Sequence, residues 1–533
     1  MSAIIFNDIL YHILSHITAD IDIQPTFESC FPSGASKSNT ARCTLARLAT
    51  AHSSFTKPAL AALWGFLPSD KALKHILWVI KTEEDSPLEN YEAVVTHGPS
   101  WTRFQEYASL VRTITIDPSV RTAHGQYPSK LRHGTFWARL SSALGGTPIL
   151  PGLKSAILFS MHHFGEYDFD MGSLCLLNPS IHDLNVLFLG VGRGEQGNFR
   201  TVLSTCLPSA TGHTLETLSV IVPVPVLDIN AFPQSYPRLR RLKIDEGGIL
   251  PEQLTLLATL PDLEYLSIVL PPFEHLHIPV VFPELRSLEI FSYAFVWIKL
   301  LIAHMACPKL QSLFISETHP DSDDTYSQEL SDLLRTVTSK YPSLMAFRWD
   351  NRDITSAGME SASKAGMTLA ELFDPMLSLR AMRSFSASFI GPLIPYSPSD
   401  FQKMAEAWPE LETFNLALAG SGPDQYADLQ SLASFARHCP RLLELRIPTI
   451  KFNPSDTSAP FVGSPMPHWL QELKVAKVAL PTDEFEEVTR QQTVLLGLAK
   501  QVFPSARINF PVIRNRLRSR MLMAGANIPD KRI

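Results

Sequence analysis

Three short stretches carry residue types that chemistry uses. Gly192-Arg193-Gly194-Glu195-Gln196-Gly197 fits Gly-x-Gly-x-x-Gly and follows an apolar run from Leu184 to Val191. That layout lets backbone N–H groups approach a pyrophosphate. Glu195 inside the loop would repel the phosphates, and neighbouring segments repeat the same layout without glycines, so this is expected to be a repeat loop. His162 and His163 with Glu166, Asp168 and Asp170 offer metal-ligand types, but at the spacing of neither a helical pair nor a loop cage. Asp321, Asp323 and Asp324 begin like a calcium loop, yet no glycine stands sixth and no glutamate twelfth. They are expected ahead of a helix from Tyr326, where acids favour the N-terminus. No Gly-x-Ser-x-Gly, phosphate-loop lysine or His-Glu-x-x-His motif is present. The sequence thus points to no catalytic residue, no metal and no cofactor.

The elements that hold such residues must come from a chain of 533 residues. That length suits three or four domains of roughly 150 residues, or one long repetitive domain. Hydrophobic residues at 45% and charged residues at 18% exclude a disordered protein. The balance of 46 Lys+Arg against 52 Asp+Glu, net −6, argues against a nucleic-acid partner. The basic cluster Arg514, Arg516, Arg518 and Arg520 is short and isolated, as a solvated end would be. The longest apolar stretch, Tyr293 to Ala306, is too short for a membrane span and contains Lys299 and His304. The N-terminus lacks the basic start and cleavage site of a signal peptide, and the six cysteines include no close pair. An intracellular protein, in cytoplasm and/or nucleus, is expected, with no membrane partner.

Proline is abundant, at 41 residues, and it is phased. The tetrapeptide x-Pro-x-Leu recurs, ending at Leu239, Leu263, Leu285, Leu310, Leu344, Leu411 and Leu442. After each comes Leu-x-x-Leu-x-Ile or a relative, such as Leu239/Leu242/Ile244 and Leu310/Leu313/Ile315. Copies without proline start at Leu184 (Leu184/Leu187/Leu189), Leu215 and Leu470, with outliers near Leu153 and Met382. In a strand alternate side chains share a face, so Leu242 and Ile244 point one way while Arg241 and Lys243 point the other. Helical stretches lie between, from Pro251, Tyr326 and Asp424, with apolar residues at three-and-four spacing. Each following proline stops a helix and sets the turn into the next strand. A single unit of this kind buries too little to stand alone, so the units must stack.

The pattern resembles the leucine-rich-repeat family in its longer, irregular, strand-then-helix variety, over roughly residues 105–512. It lacks the Asn or Cys that usually follows the strand there. The resemblance implies an α/β solenoid with parallel strands on a concave face and helices on the convex face. The competing reading is an ordinary α/β domain whose alternation only looks repetitive, which phased prolines speak against. Under the solenoid reading the residues turned outward on the strands are candidates for substrate contact: Arg241, Lys243, Tyr265, Glu289, Phe291, Phe314, Arg348 and Arg446. They mix both signs of charge with aromatics of the kind that anchor protein interfaces.

The first sixty-odd residues form a separate pattern. Ile5, Ile9, Ile13 and Ile17, with Phe6, Leu10 and Leu14, make an apolar helical stripe opposite Asn7, Asp8, His12 and His16. A polar loop, about 20–40, precedes a second helical pattern from Leu45. This segment resembles an F-box, particularly the version abundant in fungal proteins. Ile5-Phe6-Asn7-Asp8-Ile9-Leu10 stands where Leu-Pro-x-Glu-Ile-Leu is usual, followed by Ile13-Leu14. Leu45, Leu48, Ala49 and Phe55 match the second half, and the Pro58 to Trp64 stretch matches the fungal tail. Phe6 occupies the proline position, and the loop is longer than usual. The alternative is a terminal cap on the solenoid.

The resemblance implies a small all-α module over 1–66, which docks a Skp-type adaptor, and through it a cullin, by way of Ile5, Phe6, Ile9, Leu10, Ile13, Leu14, Leu45, Leu48 and Phe55. Residues 67–104 would be a helical linker, 105–512 the solenoid holding an unknown protein substrate, and 513–533 a basic tail. The expected function is a non-enzymatic substrate receptor of a cullin–RING ubiquitin ligase. The alternatives are a leucine-rich-repeat scaffold without a ligase, and an enzyme using the Gly192 loop.

Overall fold

The computed structural model describes Leu14 and residues 32–70, 72, 73, 76, 98–117, 119–121, 133–160, 167–169, 171–188, 202–211, 214–222, 229–273, 279–317, 326–351, 367–389, 394–418, 425–452, 468–480 and 485–510. It falls into two units, Met1–Val269 and Leu270–Ile533. That division runs through the stretch expected as one solenoid over 105–512.

In the first unit the strands β1 (Phe66–Leu67), β2 (Thr113–Ile116), β4 (Ser155–Ser160), β6 (Asp183–Phe188), β7 (Thr217–Ile221), β8 (Arg241–Gly248) and β9 (Tyr265–Leu270) lie side by side in that order, all parallel. Beside them β3 (Ser119–Arg121) pairs antiparallel with β5 (Tyr167–Phe169). In the second unit the order is β11 (Ser287–Ser292), β13 (Ser312–Glu317), β14 (Ala346–Asn351), β15 (Ser384–Phe389), β16 (Thr413–Leu418), β17 (Glu444–Lys451), β18 (Glu472–Ala479) and β19 (Arg507–Asn509), again parallel. A two-residue pair, β10 (Val280–Val281) with β12 (Met305–Ala306), completes the strands. Each strand sits beside the next copy of itself, with helices such as Tyr326–Lys340 and Leu429–His438 in the connections. This is an α/β leucine-rich-repeat solenoid.

The register shows why the prolines are phased. The residue before the proline ends a helix outside helical geometry at Tyr236 (φ −129°, ψ 61°), Trp408 (φ −122°, ψ 72°) and Cys439 (φ −118°, ψ 70°). Proline forbids helical geometry to its predecessor. The predecessor's carbonyl then accepts the N–H of the leucine three residues on, at 3.1 Å for Tyr236–Leu239, Cys307–Leu310, Tyr341–Leu344, Trp408–Leu411 and Cys439–Leu442. Proline therefore takes the second place of a β-turn, which suits its fixed φ. Beyond the turn one carbonyl of the preceding unit accepts two N–H groups: Arg286 O holds Gln311 at 2.8 Å and Ser312 at 2.9 Å. The same fork recurs from Gln311 O to Met345 and Ala346, and from Arg383 O to Glu412 and Thr413.

The missing Asn has a substitute. The Tyr236 hydroxyl donates to Leu203 O (3.0 Å), the Tyr341 hydroxyl to Met305 O (3.1 Å) and Trp408 Nε1 to Met376 O (3.1 Å). The residue ahead of the proline thus ties its unit to a backbone carbonyl of the unit before. Lys340 does likewise, its ammonium donating to Ile302 O and Met305 O at 2.9 and 3.3 Å at the end of the helix Phe295–His304. Sequence periodicity carried no sign of these bonds, because it reports which face is buried and not where polar atoms reach.

The core lies behind the strands. Leu242, Ile244, Leu266, Ile268, Leu288, Ile290, Leu313 and Ile315 are all nearly or wholly buried. In the second unit, rings from strands and helices meet: Phe385 lies 5.0 Å from Phe373, 4.8 Å from Trp408 and 5.5 Å from Phe414.

Several expectations change. Leu184 pairs with Leu218 and Val186 with Val220, so the frame there is Ile181/Leu184/Val186, all buried, and not Leu184/Leu187/Leu189. The continuous apolar run Val186-Leu187-Phe188 hid which residues face inward. The loop expected over 20–40 is helical from Pro32 onward, in the helix Pro32–Ala51, since its Ala, Ser and Lys residues do not oppose a helix opened by proline. A second helix, Ser53–Gly65, runs directly into β1. A strand at Phe66–Leu67 thus stands where the boundary between module and linker was expected.

Candidate functional site

The side of the strands turned from the core differs between the two units. In the first unit, Arg241 lies over the Tyr265 ring at 4.4 Å and Lys243 pairs with Asp245 at 2.9 Å. Burial raises the Asp183 carboxyl above its usual range, against a hydrogen bond from Ser155 (3.2 Å) and the charge of Arg241. Ile157 and Leu187 take positions on this side yet are only 2% and 5% exposed, and Ser267 is fully buried. Other positions on this face, among them Asn185, Thr217 and Ser219, are half-buried, and Arg241 is exposed.

In the second unit the registered pairs place Glu289, Phe314, Arg348, Ser386, Asn415, Arg446, Lys474 and Asn509 in one row across successive strands. At one end Phe291 and Phe314 meet edge to face at 5.3 Å, and Arg348 lies 4.5 Å over Phe314. Arg348 also pairs with Asp350 at 3.3 Å, and Asp350 is buried although it stands on the same side of its strand. At the other end Glu472 is held by Lys474 at 2.7 Å and by Asn509 at 3.0 Å. Those hydrogen bonds, the lysine's foremost, lower its carboxyl below the usual range.

Between the ends the side chains are short. Ser384, Ser386, Thr413 and Asn415 floor a hollow of about 420 Å³, with Arg348 and Arg446 at its sides. Its volume is of the size that ligand sites have. Asn415 donates to the Ser386 hydroxyl at 3.1 Å, while its Oδ1 is buried without a hydrogen-bond partner. Arg446 is exposed, and among the described residues no hydrogen bond or ion pair holds it. The set offers donors, one unsatisfied acceptor and an uncommitted cation, and it holds no nucleophile paired with a base.

Of the residues expected to contact substrate, Glu289, Phe314, Arg348 and Arg446 line this hollow, with Phe291 against Phe314. Arg241, Lys243 and Tyr265 gather on the first unit. Ser384 and Ser386 escaped sequence reading because their strand follows Met382 with Phe385 and Ala387, a frame with no leucine in it. The signal was the even spacing of that frame from its neighbours.

At the N-terminal end Leu14, Ala41 and Leu45 form one core cluster, with Leu48, Phe55, Ala62, Leu63 and Phe66 packed on it. Leu14 and Leu45 are 6% and 0% exposed. Both are core of the described helical cluster and not surface, because the helices Pro32–Ala51 and Ser53–Gly65 close around them. Ile5, Phe6, Ile9, Leu10 and Ile13 lie outside the described residues. So do the Gly192 loop, His162, His163, Glu166, Asp170, the aspartates at 321, 323 and 324, and the basic tail. Asp168 pairs with Val120 in β5–β3. Among the described residues no group of three or more His, Cys, Asp or Glu is placed to hold a metal, and no helix is long and apolar enough to cross a membrane.

No family model and no curated protein matches the sequence. Among solved structures, the chain is similar to an internalin of Listeria monocytogenes, at 14% identity and a TM-score of 0.31, over 69% of this chain and 88% of that one. It is also similar to a chain of the Toll–Spatzle complex of Drosophila, at 14% identity and a TM-score of 0.31, over 72% of this chain and 47% of that one. The fold rests on the strand register, not on likenesses of that degree.

Proposed function

We propose that this protein is a non-catalytic recognition scaffold that holds a segment of another protein on the strand face of its second unit. The observation that carries this reading is the hollow between Arg348 and Arg446, floored by the hydrogen-bonding groups of Ser384, Ser386, Thr413 and Asn415. In its finer form the scaffold is the substrate receptor of a cullin–RING ubiquitin ligase, docking a Skp-type adaptor through its N-terminal helices. Support for that form is the match of Leu45, Leu48, Ala49, Phe55 and the Pro58–Trp64 stretch to an F-box, with Leu48 and Phe55 at the rim of the helical core. The burial of Leu14 and Leu45 within the module favours the second reading, a scaffold without a ligase.

Co-expression of the full chain with a Skp-type adaptor separates them. A receptor retains the adaptor, and Leu10→Asp with Ile13→Asp abolishes retention while the thermal melt stays unchanged. Undiminished retention by that variant, or none by the wild type, leaves the scaffold alone.

A further inference from the structure

Resting on that reading, we propose that the hollow selects an extended acidic segment, seating one anionic side chain over Ser386 and Asn415 between Arg348 and Arg446. Arg348 in β14 and Arg446 in β17 occupy the same row, three strands apart. At the usual strand spacing that is roughly 14 Å, a gap that Arg348, held over Phe314 and by Asp350, bounds on one side and Arg446 bounds on the other. The strands between carry serine, threonine and asparagine, so nothing on the floor obstructs a bulky oxyanion, and several hydroxyls are placed to donate to it. Guanidinium groups and hydroxyls together match a carboxylate or a phosphate, the acceptors that form the shorter, stronger charge-assisted bonds. A lysine seated over Ser386 and Asn415 would face the charge of Arg446.

The acidic groups on the hollow leave this preference standing. The Glu472 charge is taken by Lys474 and Asn509. Glu289 lies on β11, beyond Phe314. Glu444 sits two residues from Arg446 on its own strand and beside Thr413, without an ion pair of its own. It opposes an anion on the Thr413 row and so confines the anion to the row of Ser386, Asn415 and Arg446. Arg348 is oriented by Asp350 and the Phe314 ring, whereas Arg446 is the cation still without a counter-charge. Neutralising Arg446 should therefore cost binding, and neutralising Glu444 should improve it.

Full-length protein is passed over four immobilised pools of seven-residue peptides with randomised flanks and a fixed central aspartate, phosphoserine, serine or lysine. The expected result is ~10-fold stronger retention on the aspartate or phosphoserine pool than on the serine and lysine pools, the scale of one charge-assisted bond. Which of the two leads tells a native acidic segment from a phosphorylated one. Arg446→Gln should erase the preference and Glu444→Gln should enlarge it, both with unchanged melting. Arg348→Gln serves as a second neutralisation should Arg446→Gln disturb the fold. Equal retention on all pools, or preference for lysine, overturns the anionic assignment and leaves a protein-binding hollow. No retention on any pool above a control protein overturns the hollow as a peptide site altogether.

Discussion

The two units are built from one repeat and differ in the side chains that the strands carry away from the core. In the first, Ile157, Leu187 and Ser267 are buried on that face, and Arg241 and Lys243 are engaged by Tyr265 and Asp245. In the second, the corresponding row crosses Ser386 and Asn415 in an open hollow, with Arg446 uncommitted. The cores differ too: Leu218, Val220, Leu242 and Ile244 fill the first, while Phe347, Phe385 and Phe414 line the second with Trp408 and Phe373 behind them. Stacking constrains only the residues behind the strands and at the turns. The strand face is free to carry apolar side chains such as Ile157 and Leu187 in one stretch and short polar ones such as Ser386 and Asn415 in another.

Variants can break that contrast. The largest effect is expected in the aromatic core: Phe385→Ala should cost ~3–5 kcal/mol, against ~0.5–1.5 for Ile244→Val in the first unit. Urea unfolding of the full chain measures both, and equal losses would deny the second core its dependence on stacked rings. Next come the two faces themselves. Ser267→Leu overpacks a buried site and should cost ~1–3 kcal/mol, whereas Ser386→Leu, on an open floor, should stay within ~0.5 kcal/mol. A large loss for Ser386→Leu would mean the hollow is packed shut.

A pH test sharpens the comparison of turns. His468 stands where other turns of the second unit have proline; its Nδ1 accepts from Leu470 N–H at 3.1 Å and its Nε2 donates to Cys439 O at 2.9 Å. Burial lowers its pKa, against that hydrogen bond to the Cys439 carbonyl. The unfolded chain therefore binds the proton first, so stability falls as pH drops below the unfolded value of ~6.5, by at most about 1.4 kcal/mol per unit. His468→Gln should flatten that slope in denaturant titrations from pH 7 to 5. Tyr236 makes the comparable carbonyl bond in the first unit, and burial raises its hydroxyl pKa, so Tyr236→Phe should leave the slope untouched. Smallest is the exposed pair Lys309–Glu284 at 2.6 Å. Lys309→Ala should cost ~0.2–1 kcal/mol, less at high salt.

Much of the solenoid was legible because burial repeats with the strand period. Leu239, Leu310 and Leu442 each announce a turn, and the residues between the strand leucines face away from them. What escaped were features that period does not encode. Val186-Leu187-Phe188 is apolar throughout and so hid its frame; Ser267 alternates as an outward residue and yet is wholly buried. The carbonyl bonds from Tyr236, Tyr341 and Trp408 depend on reach across a unit. For the candidate site, Arg348 and Arg446 were visible as outward cations, but the hollow between them exists because Ser384, Ser386, Thr413 and Asn415 are short, and an absence of bulk leaves no motif.

The most direct measurement places a photo-crosslinking residue at Ser386 of the second unit and, separately, at Ser219 of the first, in full-length protein within its own cells. A discrete protein adduct from position 386, lost on adding Arg446→Glu and absent from position 219, is the predicted result. Adducts from 219 alone, or from both positions alike, would contradict a binding face confined to the second unit.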